Sequence, residues 1–170
     1  SYIYIMNNNN YIKLKTNGKL FPSWLLLNFK DYKLPPSLIS KSDDPCKEKT
    51  KLKLRKYQEF ISAYLDYKSP YKEILLYHGL GSGKTASTIN LMNILYNYTP
   101  HWNMFILIKA SLKNSWFDEI KVWLAKDEFK NRLKNIKFIN YDSPYADKNF
   151  LDAIKESDNS KKFLYIVDEA

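Results

Sequence analysis

From Ile74 onward the apolar residues fall in short blocks whose spacing switches between a strand-like and a helix-like period. Ile74-Leu75-Leu76-Tyr77 reads as a buried strand, followed by a glycine-containing loop at 78–83. Lys84 to Tyr98 has apolar residues at 86, 89, 92, 95 and 96, the spacing of a helix that Pro100 would stop. Met104 to Ile108 predicts a second strand. Ser111 to Leu124 predicts a second helix, with Ser111 as its N-cap and Leu112, Trp116, Ile120 and Trp123 on one stripe. Ile136 to Ile139 and Phe163 to Val167 predict two further strands, with Phe150 to Ile154 in a short helix between them. Strands that alternate with helices imply parallel pairing, and hence an open three-layer α/β sheet.

The first fifty residues follow other rules. Tyr2-Ile3-Tyr4-Ile5 and Tyr11-Ile12-Lys13-Leu14 alternate apolar and polar positions ahead of Asn17-Gly18, which suits short strands or a hairpin. The tract Asn7 to Asn10 is equally compatible with a disordered loop. Phe21 to Phe29 predicts a short helix capped by Ser23. Residues 34–50 hold Pro35-Pro36, Pro45 and mixed charges, the composition of a linker. Leu54 to Tyr67 returns to helical spacing. The expected organisation is an N-terminal extension and linker over 1–50, then an α/β domain over 51–170. The start at Ser1 and the stop at Asp168-Glu169-Ala170, directly after a strand, read as cut ends of something longer.

Composition narrows the class. The chain has 170 residues, 45% of them apolar and 16% aromatic, enough for a sizeable core. Twenty-seven Lys and Arg against 18 Asp and Glu give a net charge of +9, which makes a polyanion a natural partner. Lys47, Lys49, Lys51, Lys53, Arg55 and Lys56 form a basic stripe at a period of two, either a solvated linker or a phosphate-tracking edge. The single cysteine, Cys46, excludes an internal disulfide and a cysteine-based zinc site. Apolar runs reach five residues, far short of the roughly 20 needed for a membrane helix. The expectation is a soluble, basic, intracellular α/β protein with no membrane partner. Trp24, Trp102, Trp116 and Trp123 read as packing rather than as base-stacking platforms.

Two motifs carry chemistry. His78-Gly79-Leu80-Gly81-Ser82-Gly83-Lys84-Thr85 joins a strand to a helix, with three glycines in five positions. Such a loop turns its N–H groups inward at the positive end of a helix and makes an anion nest. Lys84 is placed to reach the β and γ phosphates and the Thr85 hydroxyl to ligate Mg²⁺. The strict phosphate-loop pattern has glycine where this chain has His78. Asp168-Glu169 ends the last strand, 84 residues after Lys84 (168 − 84), which leaves room for two strand–helix units between. An aspartate in that place holds Mg²⁺, and a following glutamate can orient and deprotonate the attacking water. A small-molecule kinase would need an arginine-rich lid, and the chain has only Arg55 and Arg132. A GTPase would want Asn-Lys-x-Asp, which does not occur.

Gly79 to Thr85 together with Asp168-Glu169-Ala170 resembles motifs I and II of superfamily 2 helicases and translocases of the DEAH/DExH type. That resemblance implies a RecA-like P-loop NTPase domain, mostly parallel and truncated at motif II, whose second RecA-like domain is absent. It implies ATP and Mg²⁺ as ligands, with Gly79, Gly81, Ser82, Gly83 and Lys84 on the phosphates, Thr85 and Asp168 on the metal, and Glu169 on the water. Leu54-Arg55-Lys56-Tyr57-Gln58 is similar to the upstream adenine-contacting motif, implying Gln58 and Arg55 near the base. Ile108-Lys109-Ala110-Ser111-Leu112 is similar to motif Ia, implying that Lys109 and Ser111 meet a DNA or RNA backbone, with Asn140-Tyr141-Asp142-Ser143 as a second such loop. FPSWLLLNFK, DPCKEKTKLKLRKYQEF, LLYHGLGSGKTASTIN and LIKASLKNSW resemble the D6/D11-type helicases of nucleocytoplasmic large DNA viruses. The implied function is an ATP-dependent motor in viral transcription, with RNA polymerase components as partners in the virion or host cytoplasm. The alternative is a P-loop ATPase acting as a switch or partner-activated subunit without unwinding.

Overall fold

The computed structural model describes residues 2–6, 25, 27–33, 53–67, 69, 71–79, 81–98, 102–124 and 126–169. The strands are β1 (Tyr2–Met6), β2 (Glu73–Leu75), β3 (Asn103–Ile108), β4 (Ile136–Asn140) and β5 (Phe163–Val167). The helices are α1 (Lys56–Tyr64), α2 (Lys84–Tyr98), α3 (Lys113–Trp123), α4 (Lys126–Leu133) and α5 (Ala146–Lys155). The predicted second hairpin strand, Ser23, residues 34–50 and Lys47, Lys49 and Lys51 lie outside the described residues.

The strands form one sheet in the order β2-β1-β5-β3-β4. β3 pairs parallel with β4 and with β5, the arrangement expected of strands that alternate with helices. β1 lies between β2 and β5 and is antiparallel to both. The expected mostly parallel sheet is found over β5-β3-β4, and the strand expected near residues 2–5 joins it antiparallel, between β5 and β2. Because β2 and β5 both oppose β1, they share a direction, and β2, β5, β3 and β4 all end at one edge of the sheet.

Alternation along the strands separates two cores. Met104, Ile106 and Ile108 of β3 join Leu164 and Ile166 of β5 beneath the face covered by α1 to α4. Phe105 of β3 faces the other way, with Phe163 and Tyr165, against Phe150 and Ala153 of α5. α2 sits deepest: Ala86, Ile89, Leu91, Met92 and Leu95 are all buried between the sheet and its neighbours. Trp102 and Trp116 are buried in the core, as the sequence reading expected. Among the described residues no helix is long and apolar enough to cross a membrane.

α4 has no counterpart in the sequence-based reading, because its core contribution is confined to Phe129 and Leu133. Arg132 holds it instead: the buried guanidinium lies 3.5 Å from the centre of the Tyr96 ring and donates to Asn97 Oδ1 at 2.9 Å. Ser111 is not an N-cap. Residues Ala110–Leu112 form a 3₁₀ turn ahead of α3, which starts from Leu112 without a side-chain cap. The extra turn moves the N-cap one residue on, to Leu112, so that the helix starts at Lys113.

The α5 face has few apolar residues, so each matters. Phe105→Ala should cost about 3–5 kcal/mol, read as a lowered midpoint in chemical denaturation.

Candidate functional site

β2 ends at Leu75, and buried Leu76 anchors the chain before it turns into the loop at 78–83. Gly81 has φ +72° and Gly83 φ +75°, left-handed values that side chains disfavour, so these glycines are required by the turn. Three loop carbonyls are taken up by side chains. Lys84 Nζ donates to His78 O at 3.2 Å, Tyr57 OH to Ser82 O at 2.7 Å, and Gln58 Nε2 to Gly83 O at 3.2 Å and Ser82 O at 3.4 Å. In a planar trans peptide the N–H points opposite to its C=O. Holding the carbonyls of 82 and 83 toward α1 therefore turns the N–H groups of Gly83 and Lys84 the other way. Those groups and the first turn of α2 make an end whose donors and dipole would suit an anion.

Gln58, expected near the base, is buried under this loop. Its Oε1 accepts from Arg55 N–H at 2.7 Å while its Nε2 serves the loop, so both ends of the amide have protein partners. Arg55 is exposed and, with Lys53, borders an open cleft of about 610 Å³ between the start of α1, residues 81–83 and α3. That volume lies in the ordinary range for small-molecule sites, roughly 300–1,000 Å³. The far wall carries Asp118 and Glu119, the first paired with Lys121 at 3.0 Å and the second accepting from Trp123 Nε1 at 3.1 Å. His78 meets the Tyr57 ring edge-on at 5.6 Å. Burial, and then the charge of Lys84, lower its pKa below the usual 6.5.

The acidic pair stands at the end of β5. Asp168 N donates to Leu107 O at 3.0 Å and extends the ladder by one bond. Asp168 is 7% exposed, and its carboxylate accepts from Trp116 Nε1 at 2.8 Å, a partner 52 residues away that the sequence reading assigned to packing. Glu169 is exposed and has φ +56°, a conformation rare outside glycine. Tyr141 OH donates to its carbonyl at 3.2 Å, and Lys109 Nζ lies 3.9 Å from its Oε2. The Asp142 carboxylate accepts from Ala110 N at 3.2 and 3.3 Å, tying the loop after β4 to the loop after β3. Ser111 is exposed on that second loop.

The loop and the acids share one edge. Tyr2 of β1 sits in register with Leu75 on one side and Val167 on the other. The chain thus leaves β2 and β5 at the same height, two strand spacings or roughly 10 Å apart. Open α/β sheets bind ligands outside the carboxyl ends of their strands, and Lys84, Thr85, Asp168, Glu169, Lys109 and Ser111 all follow such ends here. Thr85 is half-buried in the first turn of α2. Thr85 and Asp168 supply the hard oxygen donors that could hold a divalent cation.

No protein-family model matches the chain. It is 52% identical, over 98% of its length and 22% of the relative's, to a protein of Acanthamoeba polyphaga mimivirus named "Putative ATP-dependent RNA helicase R350". A second mimivirus protein, "Putative ATP-dependent RNA helicase R563", is 27% identical over 83% of the chain and 28% of the relative. Nucleoside triphosphatase I of Amsacta moorei entomopoxvirus is 32% identical over 71% of the chain and 18% of the relative. The chain spans less than a third of the length of these relatives.

Two tests follow from the loop geometry. A Cβ on Gly83 would run into Gln58 Nε2, whereas one on Gly79 would meet open space. Gly83→Ala should cost more than about 1 kcal/mol and Gly79→Ala should be near neutral, compared by thermal unfolding. For His78, the unfolded imidazole takes its proton near pH 6.5 and the folded one only at lower pH. The unfolded state holds more protons in between, so this contribution is complete above pH 6.5 and is lost as pH falls through the folded value. His78→Gln should flatten that acid limb in denaturation curves measured across the window.

Proposed function

We propose that this chain, homologous to viral proteins named as helicases and nucleoside triphosphatases, is the nucleotide-binding part of an ATP-driven nucleic-acid motor. The observation that carries the reading is the glycine loop, with its carbonyls held back and its N–H groups turned out, set on the same sheet edge as a buried aspartate. A polyphosphate is the ligand this arrangement suits. Lys84 would leave the His78 carbonyl for the β and γ phosphates, and the exposed cleft beside Arg55 would take the base and ribose.

The donors fit Mg²⁺. Thr85 offers a hydroxyl and Asp168 a carboxylate, hard oxygens of the kind this ion takes. Among the described residues no three His, Cys, Asp or Glu side chains come together as a metal site, so phosphate oxygens and water would complete the shell. The bound ion supplies charge neutralisation on the transferring phosphoryl group. The chain's own residues do the rest. Loop N–H groups and Lys84 orient the phosphates, and Glu169, exposed at the strand end, takes a proton from the attacking water. This is catalysis by positioning and preorganised charge.

Lys109 and Ser111, exposed on the loop after β3, would meet a nucleic-acid backbone, and the net charge of +9 favours such a partner. The basic stripe contributes through exposed Lys53, Arg55 and Lys56. Its setting would be viral transcription, in the virion or host cytoplasm, with polymerase components as partners. A second reading rests on the entomopoxvirus relative, whose name states triphosphate hydrolysis. On that reading the chain belongs to a partner-activated ATPase that does not unwind.

The test is ATP hydrolysis by the full-length protein with and without single-stranded DNA or RNA. Lys84→Ala should lower turnover by at least about a hundredfold. Stimulation by one polymer identifies a nucleic-acid-dependent motor and its track. Lys84-dependent hydrolysis that ignores both polymers favours the partner-activated enzyme.

A further inference from the structure

We propose that Trp116 is a positioning residue for the cation site: its indole N–H fixes the Asp168 carboxylate in the orientation that holds the metal. The inference rests on the ATPase reading above and adds a residue that motif comparison does not single out.

The contact is short and enclosed. Trp116 Nε1 lies 2.8 Å from Asp168 Oδ2, and both residues are buried, at 2% and 7% exposure. Hydrogen bonds to a charged oxygen are roughly twice as strong as neutral ones. Burial removes competing water, so this bond holds the carboxylate's rotation. A carboxylate has about four lone-pair sites, so one indole N–H orients it without exhausting its capacity to bind a cation.

Packing alone does not explain a tryptophan here. A phenylalanine or leucine on α3 would fill much the same apolar space beside Ile120 and Ile108, but neither carries a donor. The other described tryptophans use their indoles differently. Trp123 bonds Glu119 on the cleft wall, and the Trp102 ring lies near the Lys162 ammonium. From the first turn of α3, Trp116 both fills the core and brings an N–H donor to the end of β5.

The placement of α3 gives this bond a second consequence. Lys109 and Ser111 stand in the turn that leads directly into α3, and Lys109 approaches Glu169. One continuous segment, 109–116, therefore touches both acids and carries the residues proposed to meet nucleic acid.

The experiment uses the full-length protein and Mn²⁺ as the metal probe. Binding of Mn²⁺ in the presence of ADP, followed by electron paramagnetic resonance, should weaken about tenfold or more in Trp116→Phe, the usual scale for loss of a bond behind a metal ligand. ADP binding without metal should be unchanged. A purely structural role would weaken both equally, or neither, and either result overturns the proposal. Should Trp116→Phe not fold, the unaltered protein with ¹⁵N-labelled tryptophan carries the test. Mn²⁺ with ADP should broaden the Trp116 indole N–H resonance beyond detection, and a sharp resonance in the metal-bound protein overturns the proposal. If the unaltered protein binds no Mn²⁺ with ADP and hydrolyses no ATP, the ATPase reading itself fails and this role falls with it.

Discussion

The site depends on where three backbone carbonyls point. A glycine loop is permissive by itself, and Gly81 and Gly83 at positive φ could serve many turn geometries. What selects one is the capture of the His78, Ser82 and Gly83 carbonyls by Lys84, Tyr57 and Gln58. Peptide planarity then dictates the direction of the following N–H groups. α1 therefore matters less as a core helix than as a brace, and Gln58 is buried because its amide replaces hydrogen bonds that water would otherwise make. Gly83 is the matching requirement on the other side, since any side chain there meets that amide.

The sequence shows this loop and the helix after it clearly, whereas the strand before it, expected as buried over 74–77, is β2 at Glu73–Leu75 with Leu75 and Tyr77 exposed. β5 is found at the predicted residues, α2 over the predicted span, and β3 one residue longer, because each is a long or strongly periodic apolar block. The sheet's neighbours were less legible. Alternation in Tyr2-Ile3-Tyr4-Ile5 marks a strand but says nothing of its partners, and β1 lies antiparallel between β2 and β5. α4 escaped because a cation–π contact and one side-chain hydrogen bond hold it, and neither leaves a periodic trace. The roles of Gln58 and Trp116 were hidden for a related reason. Each reaches a partner 24 or more residues away, so spacing along the chain cannot display it.

Shared strand direction turns these separate contacts into one surface. β2, β5, β3 and β4 deliver the glycine loop, the acidic pair, Lys109 and the Tyr141-Asp142 loop to a single edge. Ala110 is tied to Asp142, and Tyr141 to the carbonyl of Glu169. The three loops around the acids are thus hydrogen-bonded to one another before any ligand arrives. Preorganisation of this kind lowers the reorganisation needed at the moment of reaction. It also explains how Glu169 persists at φ +56°, a conformation that would otherwise relax.

The two acids are held by contacts of opposite character. Asp168 is buried, and its bond to Trp116 is short and removed from solvent. Glu169 and Lys109 are each about half exposed and 3.9 Å apart, an ion pair that water and salt screen and that contributes little stability. A motor needs one acid fixed whatever its track is doing and one free to respond. On the proposed reading these contacts divide that labour: the indole keeps the metal-holding carboxylate in place, while a nucleic-acid phosphate competes with Glu169 for Lys109 at small energetic cost. A strong, buried Lys109–Glu169 bridge would resist that exchange, since separating buried charges costs several kcal/mol. The weakness of the outer pair is therefore compatible with coupling in a way that a tighter one would not be.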